Sequence, residues 1–257
     1  NTGKQIRAIK AHNFWSWNMS ASPDERYIAS VTGQYLVGGY DYEPAPETEP
    51  SVKLFDADTG KLVHEWSHLP PVQSVTFDPS SRYVAAGNRL GDVHVWDVDS
   101  GKQVASFNTP DLTTWGIKKS HFFAGGITAS VFTPDGDGLL LAGQGEMTKP
   151  ITSNGQQLWQ RFAWAEKPVR KADEVHDGES GLGLMETLAV HPSGSFFLMA
   201  GRLNSGDWNA ALFDMDSGSL LHSISTKSRI ADSVFSADGS TLFLAGMTGQ
   251  GKNEKLG

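Results

Sequence analysis

Cysteine is absent from the 257 residues. That excludes disulfides, thiolate metal centres, haem attachment through Cys-x-x-Cys-His and cysteine nucleophiles. Basic charge is scarce: 21 Lys and Arg stand against 29 Asp and Glu, a formal net charge of −8. Such a chain repels phosphate backbones on average, so no nucleic-acid partner is expected. Apolar runs are short, well below the roughly 18 residues of a membrane-spanning helix, so no membrane span is expected. No helical period of useful length appears. Neither a Gly-x-x-x-x-Gly-Lys-Ser/Thr phosphate loop nor an Asp-x-Asp-x-Asp-Gly calcium loop is present, and no cofactor is expected.

Turns and aromatic residues are plentiful instead. The chain holds 28 Gly, 12 Pro and 8 Trp and is 39% hydrophobic, enough to bury a sizeable core. Self-similarity organises it. VKLFDADTGKLV (52–63), VHVWDVDSGKQV (93–104) and AALFDMDSGSLL (210–221) align position by position. In each, an aromatic residue (Phe55, Trp96, Phe213) precedes an aspartate (Asp56, Asp97, Asp214), and a glycine ends the turn (Gly60, Gly101, Gly218). Period-two alternation before the aromatic predicts a strand, and Asp-Ser/Thr-Gly predicts a tight turn into a second strand.

A second motif precedes the first. VTFDPSSRYVAAG (75–87), VFTPDGDGLLLAG (131–143), LAVHPSGSFFLMAG (188–201), VFSADGSTLFLAG (234–246) and MSASPDERYIAS (19–30) each read as strand, turn, apolar strand. Their turn landmarks, Pro23, Pro79, Pro134, Pro192 and Ala237, recur at intervals of about 45–58 residues. Five copies of a four-strand unit, a-b-c-d, follow. Near-continuous apolar runs such as GLLLAG and FFLMAG suit strands buried on both faces, which stacked sheets provide and an isolated sheet cannot.

These residues resemble the WD40-repeat family: Trp96-Asp97, the Pro-Asp-Gly-like turns, and His12 and His68, each ahead of a strand a. The resemblance implies an all-β fold, a β-propeller of four-stranded antiparallel blades, part of a seven-bladed ring. It also implies a buried network joining the histidine to a Ser/Thr on strand b, an Asp in the b–c turn and the Trp of strand c. No copy has it whole. His68 and Trp96 meet Ala86 at the Ser/Thr position, and His12 and Ser30 meet Phe55 in place of Trp. The histidines are therefore expected to be hydrogen-bonding posts between strands, not catalysts.

The expected organisation is one propeller domain over 1–257, with a partial blade at 1–10 and blades near 11–66, 67–107, 127–162, 183–224 and 230–257. Asn1-Thr2-Gly3-Lys4 matches Asp58-Thr59-Gly60-Lys61, so Gln5–Lys10 reads as a strand d without its own a, b and c. The last copy reads only as far as strand b. The expectation is a fragment of a longer propeller, truncated at both ends. The alternative is a five-bladed ring closed by the N-terminal strand.

Three segments exceed the repeat and are the natural places for function. Val31–Pro50 is acidic and Pro-rich, with Tyr35, Tyr40 and Tyr42: a surface loop or a partner-binding arm. Asn108–Gly126 carries Trp115, His121, Phe122 and Phe123. Trp159–Thr187 contains DEVHDGES, where Asp173, Glu174, His176, Asp177 and Glu179 fall close together. Such a cluster could hold a hard cation or act as acid and base. Without a remote second ligand segment it is read as a solvated acidic loop pairing with Arg170 and Lys171, and no metal is expected. Ser180 lies between glycines, but its spacing is not that of a nucleophile elbow.

No set of catalytic groups converges in the sequence. The leading expectation is a non-catalytic interaction or scaffold module whose partner is a protein or another domain of the parent chain. A propeller-based hydrolase or lyase, with His121 and His176 at a central funnel, is the alternative. A carbohydrate-binding propeller, suggested by the 8 Trp, is a third.

Overall fold

The computed structural model describes residues 3–33, 47–69, 71–109, 126–144, 157–163, 171–174, 182–203, 208–226, 228–248 and 255–256. Five antiparallel sheets follow one another along the chain. The first has the order β1 (Ser16–Ala21), β2 (Tyr27–Thr32), β3 (Val52–Asp56), β4 (Leu62–Trp66). The second is β5 (Val72–Phe77), β6 (Tyr83–Asn88), β7 (Asp92–Asp97), β8 (Gln103–Asn108). The third is β9 (Gly126–Phe132), β10 (Gly138–Gln144), β11 (Gln157–Ala163), β12 (Lys171–Glu174). The fourth is β13 (Leu182–Val190), β14 (Phe196–Leu203), β15 (Ala210–Asp214), β16 (Leu220–Ile224). The fifth has three strands, β17 (Ser228–Phe235), β18 (Leu242–Thr248) and β19 (Lys255–Leu256). No helix is found among the described residues, and none is long and apolar enough to cross a membrane.

Each sheet packs on the next through its first two strands: β1 on β5, β5 on β9, β9 on β13, β13 and β14 on β17. The apolar core is divided among these four boundaries. Ala29 and Val31 meet Val75, Phe77, Val84 and Ala86 at the first. Ala85 meets Ile127, Phe132 and Leu139 at the second. Ala129, Leu140 and Ala142 meet Leu188, Phe197 and Met199 at the third. Ala189, Leu198 and Ala200 meet Ile230 at the fourth, with Phe235 and Leu242 packed beside them. Alternate residues of β6, β10 and β14 thus point to opposite neighbours, which is why these strands are apolar along nearly their whole length. Strands β4, β8 and β16 are mostly exposed, with Trp66 at the end of β4 buried, so their sequences need no such pattern.

Two expectations change. Gln5–Lys10 forms no strand, because no strand c lies beside it among the described residues. The segment instead crosses the β3–β4 turn, where Arg7 donates from Nη1 to the Ala57 carbonyl at 2.7 Å. The third sheet also extends past residue 162: its fourth strand is β12, with Trp159 opposite Asp173 and Leu158 opposite Glu174. Asp173 and Glu174 therefore belong to a strand, not to a loop.

Candidate functional site

The repeated aspartates and aromatics serve the turns and the sheet boundaries. Asp56 accepts from the backbone N–H of Thr59 at 2.6 Å, and Asp97 does the same from Ser100 at 2.9 Å. Asp214 accepts from Ser217 at 2.7 Å. In all three the neighbouring hydroxyl donates to the same carboxylate oxygen. The turn closes when the glycine N–H donates back to the aspartate carbonyl, with Gly60, Gly101 and Gly218 at φ 70°, 69° and 74°. Local spacing alone specifies this unit. Phe55, Trp96 and Phe213 lie opposite Ile28, Val84 and Phe197 on the second strands, and all three are buried.

The histidines are held within the packing. His12 shares a 3.2 Å hydrogen bond with the Ser30 hydroxyl through Nε2. Burial, and then the Lys53 ammonium, push it below its ordinary range. His68 stacks on His94 with ring centroids 4.2 Å apart and meets the Trp96 ring edge-on at 6.2 Å. Burial first, and then His94, push His68 down to about 3. Burial lowers His94 as well. All three are therefore neutral at neutral pH. Rings stacked inside a sheet boundary suit packing better than proton exchange with a substrate.

His94 and its repeat equivalent Lys53 were missed by the sequence reading, although a cue was visible. Both place a polar residue where the third copy has Ala211. Lys53 donates from Nζ to Glu49 Oε2 at 2.9 Å and to the Ala11 carbonyl at 3.0 Å. Burial pushes the Glu49 carboxyl up, but hydrogen bonds from Lys53 and from the Asn13 N–H outweigh it and leave the group below its ordinary range. Glu47 accepts from the backbone N–H groups of Ser51 and His68. These bonds tie the end of the Val31–Pro50 segment to the first two sheets. Tyr35, Tyr40 and Tyr42 lie outside the described residues.

Of the DEVHDGES cluster, His176, Asp177 and Glu179 lie outside the described residues, as do Trp115, His121, Phe122 and Phe123. Among the described residues, no three His, Asp or Glu side chains gather to hold a metal ion. Trp66, Trp96 and Trp208 are buried, whereas Trp15 is exposed and stacks on Phe14.

The outermost strands carry a repeated exposed apolar position. Three residues past each turn glycine stand Val63, Val104 and Leu221, exposed by 39%, 49% and 53%. Leu62 and Leu220 beside them are exposed too. Solvent-facing apolar residues at one register of three sheets form the clearest candidate contact surface among the described residues.

Successive antiparallel sheets packed face to face, with the second strands β6, β10 and β14 buried against neighbours on both sides, define a β-propeller. The fold is that of a β-propeller similar to the WD40-repeat type: the family "WD domain, G-beta repeat" matches residues 60–97. The chain is 30% identical over 108 residues to "Telomerase protein component 1" of Rattus norvegicus, covering 42% of this chain and 4% of that protein. It is 22% identical over 185 residues to "U3 small nucleolar RNA-associated protein 21 homolog" of Schizosaccharomyces pombe, covering 67% of this chain and 18% of that protein. The chain thus spans a small part of these curated relatives. Among solved structures it resembles Kuenenia stuttgartiensis hydrazine synthase, with a TM-score of 0.66 at 15% identity, over 96% of this chain and 60% of that one. It also resembles the Myceliophteria thermophila Cps50 (Swd1) β-propeller domain, with a TM-score of 0.61 at 12% identity, over 92% of this chain and 64% of that one.

Proposed function

We propose that this propeller is a non-catalytic interaction module that binds a protein partner along its rim. The observation that carries the reading is the recurrence of exposed Val63, Val104 and Leu221 at one register of the outermost strands. Nothing in the turn chemistry requires an apolar residue there, and exposing one costs solubility without aiding the fold. An outermost strand also offers unpaired backbone groups, so an extended peptide can add to it while these side chains supply apolar contact. The net charge of −8 favours a protein partner over a nucleic acid.

The test is affinity capture with the unaltered chain and with a Val63→Asp, Val104→Asp, Leu221→Asp variant, each substitution on an exposed side chain. A partner held by the first and lost by the second, with both melting at the same temperature, is the expected result. Equal capture by both would remove the rim from consideration. Turnover of ester, phosphoester or glycoside substrates by the purified chain would favour the hydrolase alternative.

A further inference from the structure

Two imidazoles lie face to face at the boundary between the first two blades. His68 stands in the linker from β4 to β5 and His94 on β7, with centroids 4.2 Å apart and planes inclined by 21°. His68 is 2% exposed. Its Nε2 and the Nδ1 of His94 are buried without a hydrogen-bond partner among the described residues. A proton added to either ring therefore sets a cation against the other ring, with no acceptor at that nitrogen. Trp96 meets both rings edge-on, at 6.2 and 5.6 Å, and itself stacks on Trp66.

Little charge faces this pair. Strands β2, β5, β6 and β8 carry no acidic or basic residue. On β3 and β4, Lys53 stands opposite Glu65, alternating with Val52, Leu54 and Trp66, which line the boundary. His64 lies beside Trp66, with centroids 5.5 Å apart. Glu47 accepts from the backbone N–H of His68, not from its ring. On β7, Asp92 accepts from the Asn88 and Asn108 amides and favours a charged His94, but burial outweighs it. Asp97 is taken up by Ser100 and Arg82, and Arg89 in the β6–β7 turn is itself cationic. Burial, and then His94, keep His68 neutral against hydrogen bonding to the Asp92 and Ala86 backbone. The other boundaries differ. The second and third are lined by apolar side chains. At the fourth, His191 is bonded at both ring nitrogens, to Ser193 and the Gly239 carbonyl, and Glu186 is paired with Arg229.

We propose that the first blade boundary is an acid-operated joint. Proton uptake by His68 or His94 parts the two rings, and with them the Trp66–Trp96 stack and the hydrogen bond from Trp66 to Gly101, while the other three boundaries stay closed. The proton finds a hydrated site only in the parted state, so that state gains population as pH falls. For His68 the gain is up to about tenfold per pH unit below its ordinary value of 6.5, down to about 3. This joint is independent of rim binding, and either reading can fail without the other.

Amide hydrogen exchange of the full chain at pH values from neutral into the acid range, corrected for the pH dependence of the intrinsic rate, tests it. Below pH 6.5, protection in β4, β5 and β7 is expected to fall by up to about tenfold per pH unit. Protection in β14 and β15 is expected to hold, and the lost protection to return on neutralisation. His68→Gln is expected to flatten the local loss. His94→Ala, which installs the residue found at the equivalent Ala211, is expected to do the same and carries the test if His68→Gln fails to fold. Protection lost evenly over all the blades, or a local loss that neither substitution alters, would overturn the proposal.

Discussion

The Trp66 indole stacks on the Trp96 indole across the boundary between the first two blades, with centroids 5.0 Å apart and planes inclined by 18°. Trp66 also donates from Nε1 to the Gly101 carbonyl at 2.8 Å, so one blade's last strand grips the turn of the next. Trp96→Ala is expected to cost about 3–5 kcal/mol, the range for deleting a buried aromatic. Denaturant unfolding measures it, and a loss below about 0.5 kcal/mol would remove Trp96 from the core.

Gly101→Ala and Gly194→Ala separate backbone strain from collision. Both glycines have positive φ, 69° and 73°, so both substitutions carry a left-handed penalty of roughly 1–2 kcal/mol. At Gly194 the nearest atom to an added Cβ is Pro134 Cδ at 3.8 Å, whereas at Gly101 it meets the His64 ring at 2.8 Å. Gly101→Ala should therefore lower the melting temperature more. Adding His64→Ala should bring it back toward the Gly194→Ala value.

Acid should destabilise the propeller well above the carboxylate range. His68 has an ordinary pKa of 6.5 that burial, and then His94, push down to about 3. Between those values the unfolded chain binds a proton that the folded chain refuses. Stability is thus fully present above pH 6.5 and falls by up to about 1.4 kcal/mol per pH unit below it. His12 and His94, both lowered, act in the same direction. Melting temperatures across this window should show the slope, and His68→Gln should flatten it. A profile unchanged by His68→Gln would contradict the assignment.

Glu49→Gln should destabilise the first blade. It leaves Lys53 with its charge uncompensated, in a site where the two side chains are only 13% and 8% exposed. Breaking one partner of such a pair costs about 3 kcal/mol. Glu49→Gln combined with Lys53→Met should recover part of the loss. If the double variant is no more stable than Glu49→Gln alone, the pair is not the source of the cost.

What the sequence determined by itself was what neighbouring residues decide. The Asp-x-x-Ser/Thr-Gly turns were legible because one carboxylate, one hydroxyl and one glycine within six residues build the whole unit. The doubly buried second strands were legible because every position must be apolar. The repeat of both motifs led to the propeller. Tertiary structure decided what depends on distant partners. The place of β12 follows from pairing with β11, not from the pattern of Lys171–Glu174. His68 meets His94, and Lys53 meets Glu49, only once the b–c loop and two blades close around them. The contrast between buried Leu198 and exposed Leu221, two leucines of one sheet, has no local cause: the fifth sheet packs against the first of them, and the second stands on an outermost strand.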